Sequence, residues 1–460
     1  MISFNAIRQE LRPMTALALP VVFAELGWMA MTVVDTMMVG RLNAQAIGAV
    51  SFGALFVNVL TFFCLGLLLG LDTLVSQAFG ANNLKRCNLC LVQGVWMALL
   101  LTPLVSAVAF LLLPVARNWG ADARVVQQAV PYLKTLVWST LPLLLYVVFR
   151  RYLQSMNHVG PVMFALVSAN LVNVLVNWLL VFGNWGFPAM GVEGAGWATF
   201  FSRVYMAAVL VAFVWLKERA KPTGLRQTPR AFHWPLVREL VALGLPVAMQ
   251  ITAEYGVFAL ATALIARLDA LSLAAHQIAL NVASVTFMVP LGVSSAGAVR
   301  VGQAVGRKDP HGAVVSGWTA VALGTGFMLC AGVLLFAFPE AVLRIFTTDR
   351  SVFALGVPLL FLAAAFQFFD GIQVTAGGVL RGIGDTRTPM LSNLVGHWLL
   401  GLPVGYSLCF LAGWNAVGIW VGLSLGLVAV AVAVLWTWRI RVRHMPRIVQ
   451  QATASMDGVH

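Results

Sequence analysis

Twelve long apolar runs separated by short polar connections make up most of this chain. They lie at roughly 14–38, 46–71, 91–114, 130–152, 161–183, 191–216, 236–263, 274–300, 314–338, 351–377, 389–411 and 416–438. Each is near or above the ~20 residues that a helix needs to cross a bilayer. In hydrocarbon a helix satisfies its own backbone, whereas an open strand does not. The alternating ten-residue segments of a strand barrel are absent. Only 10% of the 460 residues are charged and 60% are apolar, against about a quarter charged in a soluble domain. So few charges cannot cover a water-exposed surface. The predicted fold is an all-α polytopic membrane protein with twelve transmembrane helices.

The net charge of +13 would suggest nucleic acid in a soluble protein. Here the basic residues sort by side instead. With the N-terminus in the cytoplasm, 21 of the 29 Lys and Arg fall on the cytoplasmic side, Arg150 and Arg151 among them. Seven fall opposite, and Arg203 lies inside the sixth span. That bias follows the positive-inside rule. Both termini are placed in the cytoplasm, and the charge is assigned to topology and to anionic lipid, with no nucleic-acid partner. Trp119 and Trp414 are read as interfacial residues. Cys87 and Cys90 form a C-x-x-C with no second pair to complete a metal set, so they are read as packing residues.

The chain also repeats. At an offset of 226 residues, Leu19-Pro20-Val21 falls on Leu245-Pro246-Val247, Arg41-Leu42 on Arg267-Leu268, Leu65-Gly66 on Leu291-Gly292, and Gln77-Ala78 on Gln303-Ala304. Residues 16 to 80 give 17 identities in 65 positions without a gap. The expected organisation is two homologous six-helix lobes about a pseudo-twofold axis along the membrane normal. The N-terminal lobe takes 1–216, a basic, Pro- and Gly-punctuated cytoplasmic linker 217–235, the C-terminal lobe 236–440 and a cytoplasmic tail 441–460. Repeats of this kind enclosing a central site are a common transporter plan, with alternating access by rocking one half against the other. No Walker loop, G-x-S-x-G or H-E-x-x-H is present, so catalysis and ATP hydrolysis are not expected.

An ionisable group inside a span is costly and calls for a reason. Glu25, Asp35, Glu254 and Asp370 qualify, while Asp72 is placed at a span end within reach of water. Asp35, with no basic residue within a turn on its helix, is a candidate to gain and lose a proton. Glu254 and Asp370, both in the second half, would share a proton or hold a cation if they face each other. Hard oxygens suit an alkali ion, and Gln367, Gln373 and Thr375 offer more of them. Asn173 and Asn177, at i and i+4, share a face of the fifth span that can meet Asp35. Gln277 and Glu25 are further candidates for the polar cavity. The repeat does not carry these acids: Asp35 falls on Ala261, and Glu254 on Trp28. The scaffold is duplicated and its charges are not.

With these residues the chain resembles the multidrug and toxic compound extrusion family, specifically its bacterial sodium-coupled type, from about Arg12 to Arg439. The resemblance is carried by Leu19-Pro20, Val34-Asp35-Thr36 and Val39-Gly40, by Gly70-Leu71-Asp72-Thr73 through Gln77-Ala78-Phe79-Gly80, and by Gln367 to Asp370 leading to Leu380-Arg381-Gly382 and Pro389. It implies two lobes around a V-shaped central cavity, and export of organic cations in exchange for inward Na+ or H+. It implies that Asp35 and Asn177 are the N-lobe coupling residues. Glu254 and Asp370 would be the C-lobe cation site, holding Na+, with Tyr255 following the glutamate. Some members carry a second acid a turn beyond the asparagine. Phe182 and its neighbours are apolar here, which leaves Asp35 as a proton or substrate residue.

The expected activity is therefore secondary export of small organic cations from a bacterial inner membrane, by a chain that needs no cofactor beyond its coupling ions and works as a monomer in lipid. The alternative is a flippase for lipid-linked sugars, which would favour a cationic cavity.

Overall fold

The computed structural model describes residues 4–117 and 123–457; Trp119 lies outside them. Among the described residues there are helices and no strands. The first half comprises α1 (Phe4–Gly40), α2 (Ala44–Leu68), α3 (Gly70–Gly80), α4 (Leu84–Arg117), α5 (Ala123–Trp138), α6 (Thr140–Ser155), α7 (Gly160–Leu180) and α8 (Gly191–Ala220). The second comprises α9 (Trp234–Ile265), α10 (Ala270–Gly306), α11 (Pro310–Ala337), α12 (Pro339–Phe346), α13 (Arg350–Gly382), α14 (Arg387–Asn393), α15 (Leu402–Tyr406), α16 (Asn415–Arg443) and α17 (Met445–Asp457). Among the described residues, eleven helices are long and apolar enough to cross a membrane, or twelve when α5 and α6, bent by 41°, count as one span. The break has a cause in sequence. Pro142 has no N–H for the Trp138 carbonyl, which interrupts the helix where Ser139 sits.

The repeat is visible in local structure. Asn43 and Asp269, equivalent at the 226 offset, both cap the next helix: Asn43 accepts from the Ala46 N–H and Asp269 from the Ser272 N–H. Such caps satisfy donors that a helix start leaves open.

Two compact units form, and they do not follow the chain halves at the first helix of each. One unit takes 23–79 and 83–248; the other takes 1–22, 80–82 and 249–460. The changeovers fall after Val22 and Ala248, which the repeat makes equivalent, two residues beyond Pro20 and Pro246. The start of α1 thus packs with the second half, and the start of α9 with the first. Small residues permit both crossings. A Cβ on Gly66 would sit 2.7 Å from the Ala248 nitrogen, and one on the equivalent Gly292 would sit 2.9 Å from the Val22 nitrogen. Each displaced helix start is also held by an ion pair. Glu10 takes two hydrogen bonds from Arg300, at 2.8 and 2.7 Å, and one from Ser316. Glu239 accepts from Arg86 at 2.9 Å.

The connection from α8 to α9 is fastened along its length. The buried amide of Asn88 donates to the Thr223 carbonyl. Gln93 donates to the Ala231 carbonyl and accepts from the His233 N–H, and Glu218 accepts from the Thr223, Gly224 and Leu225 N–H groups. Cys87 and Cys90 are buried in the apolar core of the first-half unit.

Candidate functional site

In the first-half unit, Asp35 lies near the C-terminal end of α1 and is buried. Asn173 and Asn177 of α7 donate to its Oδ1 at 3.0 and 2.7 Å, and Thr199 of α8 donates to Oδ2 at 3.1 Å. The α7 face carrying the two asparagines does meet Asp35. Thr199 and Arg203 have no counterpart in the sequence reading as partners of this acid. Arg203 lies one turn beyond Thr199 on α8 and donates to Ser139 Oγ at 2.6 Å, in the break between α5 and α6. Its charge acts on Asp35 and on Tyr132 of α5.

A second polar group sits toward the other end of the same unit. Glu25 of α1 forms an ion pair with Arg150 of α6. Asp72 of α3 pairs with Arg151 at 3.4 Å. This corrects two expectations. Asp72 is fully buried rather than within reach of water. Arg150 and Arg151, counted with a cytoplasmic loop, stand on α6 with side chains 5% and 13% exposed. Arg203 is therefore not the only arginine inside the fold. Two basic residues at a helix end look like topology signals in sequence, and nothing local shows that acids from α1 and α3 face them.

The second-half unit holds Glu254 on α9 and Asp370 on α13, near enough for their charges to interact. Gln373, three residues beyond Asp370, donates to Glu254 Oε1 at 3.2 Å, and Asn393 at the end of α14 donates to Oε2 at 3.3 Å. The remaining amide oxygens, Gln373 Oε1 and Asn393 Oδ1, are buried and unpaired among the described residues. No basic side chain acts on either acid there. Gln367 is buried one turn before Asp370 and donates to Thr286 of α10 at 2.9 Å. Tyr255 is half-buried directly after Glu254. Gln277 is half-buried on α10 and bonds to neither acid among the described residues. Asn393 is the member of this cluster that the sequence reading missed. Directly after it the backbone is π-helical over Leu394–Gly401, a departure that often accompanies functional sites.

Comparison with known proteins now adds to this geometry. The MatE family model matches the chain twice, over residues 20–179 and 246–407, and the two matches begin at positions the repeat makes equivalent. Among curated relatives, a protein described as "Probable multidrug resistance protein NorM" from Mesorhizobium japonicum is 37% identical over 429 residues, with 92% of each chain covered. A protein of the same description from Brucella suis is 36% identical over 420 residues, covering 88% of each. Among solved structures, the eukaryotic MATE transporter AtDTX14 superposes with a TM-score of 0.86 at 21% identity, covering 96% of this chain and 100% of that one. The chain belongs to the MatE family. It is a multi-pass membrane protein built on that family's repeated helical fold.

Proposed function

We propose that this chain is a secondary multidrug exporter of the NorM-like type, moving organic cations outward in exchange for inward Na+ and/or H+ by alternating access. The relatives' description as multidrug resistance proteins supports the substrate class. The observation that carries the coupling is the Glu254–Asp370 cluster. Two acids placed inside membrane spans, without a basic partner, call for a cation. Glu254, Asp370, Gln373 Oε1 and Asn393 Oδ1 supply hard oxygens of the kind that hold an alkali ion. Asp35, already held by three donors, reads as a proton site. The setting we propose is a bacterial inner membrane with both termini cytoplasmic, and a monomer that needs no cofactor beyond its coupling ions. Glu25 is taken out of the substrate cavity in this reading, because Arg150 occupies it.

The sugar-lipid flippase is less well supported. It calls for free cationic groups, and Arg150, Arg151 and Arg203 are each bonded to protein side chains.

The test is transport by purified protein in liposomes. Ethidium efflux is followed with Na+ and H+ gradients imposed separately. Efflux driven by an inward gradient of either ion is expected, and a response to neither rules out the antiporter.

A further inference from the structure

We propose that Arg203 is the resident counter-charge of Asp35: a fixed guanidinium that lets this carboxyl release protons and keeps Na+ from occupying it. The proposal rests on the reading of Asp35 as a coupling acid.

Thr199 and Arg203, at i and i+4, share one face of α8. Because Thr199 bonds Asp35 directly, Arg203 stands one turn from the carboxyl and on its side of the helix. Both Asp35 and Arg203 are buried. Ser139 holds the guanidinium through its Oγ, and Ser139 is placed by the break that Pro142 imposes. The groups around Asp35 come from three elements: Tyr132 of α5, Asn173 and Asn177 of α7, and Thr199 and Arg203 of α8. Of these, Arg203 alone carries charge, and a guanidinium keeps its proton.

A permanent positive charge at this range has two consequences. It favours the ionised carboxylate, so a proton taken up can leave again. It also weakens the binding of any further cation, which it repels. Sodium binds a carboxylate weakly, and that loss removes it from its working range. A proton binds a carboxyl with a Kd on the order of 10⁻⁴ M and withstands the same loss. The second-half cluster has neutral amides in the corresponding role and lacks this filter.

The test uses the full chain in liposomes, with H+-driven ethidium efflux read against pH and against added Na+. Arg203→Gln is expected to move the pH of half-maximal efflux upward by about one unit or more. It is also expected to make efflux inhibitable by Na+ at concentrations at least fivefold below those affecting the parent. That new Na+ sensitivity should vanish in the Asp35→Asn/Arg203→Gln double variant, and Arg203→Lys should keep the parent profile. A merely structural Arg203 would lower flux and leave both profiles in place, and that result overturns the proposal. If Arg203→Gln does not fold, Ser139→Ala, which releases the guanidinium, takes its place, and an unmoved pH profile there overturns the proposal equally. Should Asp35→Asn leave H+ coupling intact, the reading of Asp35 itself falls. Should Asp35→Asn remove coupling while Arg203→Gln changes nothing, the role of Arg203 alone falls.

Discussion

Glu25, Asp35 and Asp72 of the first-half unit and Glu254 and Asp370 of the second-half unit are treated differently by their surroundings. Glu25 has Arg150, Asp72 has Arg151, and Asp35 has three hydrogen-bond donors with Arg203 a turn away. Glu254 and Asp370 have amides and each other. A charge removed from water must be compensated, and the penalty for leaving one unpaired is several kcal/mol. Where the chain supplies the partner, the charge can serve architecture or proton exchange. Where it supplies neutral oxygens, the partner must come from solution. A duplicated scaffold thus carries acids with resident partners in one half and, in the function proposed above, an acid pair that takes its partner from solution in the other.

The largest effect should come from the unpartnered acids. Glu254→Gln or Asp370→Asn is expected to reduce ion-driven ethidium efflux to the level of passive leak while the protein still folds and inserts. Either variant retaining Na+-driven efflux would break the contrast between the halves at its main point. Thermal melts of the purified protein give the converse. Removing the charge of Glu254 should cost little stability, since no basic side chain loses its partner.

Breaking a resident pair should do the opposite. Arg150→Met leaves Glu25 charged and unpaired, and is expected to cost about 3–5 kcal/mol. The double variant with Glu25→Gln should recover most of that, read as the melting temperature in detergent. Equal melting of Arg150→Met and the parent would show that Glu25 is not held by this pair and return it to the list of cavity residues.

Smaller again is the expected effect of the amides. Gln373→Leu or Asn393→Leu removes one hydrogen bond to Glu254 and one candidate oxygen, and should raise the Na+ concentration for half-maximal coupled efflux by about tenfold, the size of one charge-assisted hydrogen bond. An unchanged Na+ requirement in both would leave the two acids to hold the ion by themselves.

The sequence conveys some of this and not the rest, for physical reasons. Span positions follow from apolar length, and the repeat follows from Arg, Gly, Pro and Gln at one register, down to the equivalent caps Asn43 and Asp269. The meeting of Asn173 and Asn177 with Asp35 was foreseeable, because an i, i+4 pair must share a face. What the repeat hides is partnership. It makes Val22 equivalent to Ala248 without saying that each packs in the other half's unit, against Gly292 and Gly66. The positive-inside count likewise sorts Arg150 and Arg151 by position along the chain, and burial against Glu25 and Asp72 is set by helices far away in sequence. Asn393 gave no signal at all, being one asparagine near a helix end whose role depends on Glu254, 139 residues earlier.

The smallest effect lies just outside the spans, where the first-half unit again supplies its own partner. His158, in the turn between α6 and α7, donates from Nδ1 to the Met156 carbonyl at 2.6 Å, and its Nε2 accepts from Lys217 Nζ at 2.6 Å. The ammonium is thus matched with a neutral ring rather than an acid. Burial first, and then the charge of Lys217, hold the imidazole below its ordinary value. A base held low in the folded protein takes up fewer protons there than in the unfolded chain as pH falls through the ordinary histidine value of about 6.5. The stability this contact contributes is therefore present above that pH and is lost below it. The melting temperature should drop by roughly 1–2 °C more between pH 7.5 and 5.5 in the parent than in His158→Gln, a small figure because the ring is half-exposed and solvent screens the pair. An equal drop in both proteins would mean that Lys217 leaves the ring as pH falls without cost, and that compensation in this unit ends at the membrane-spanning acids.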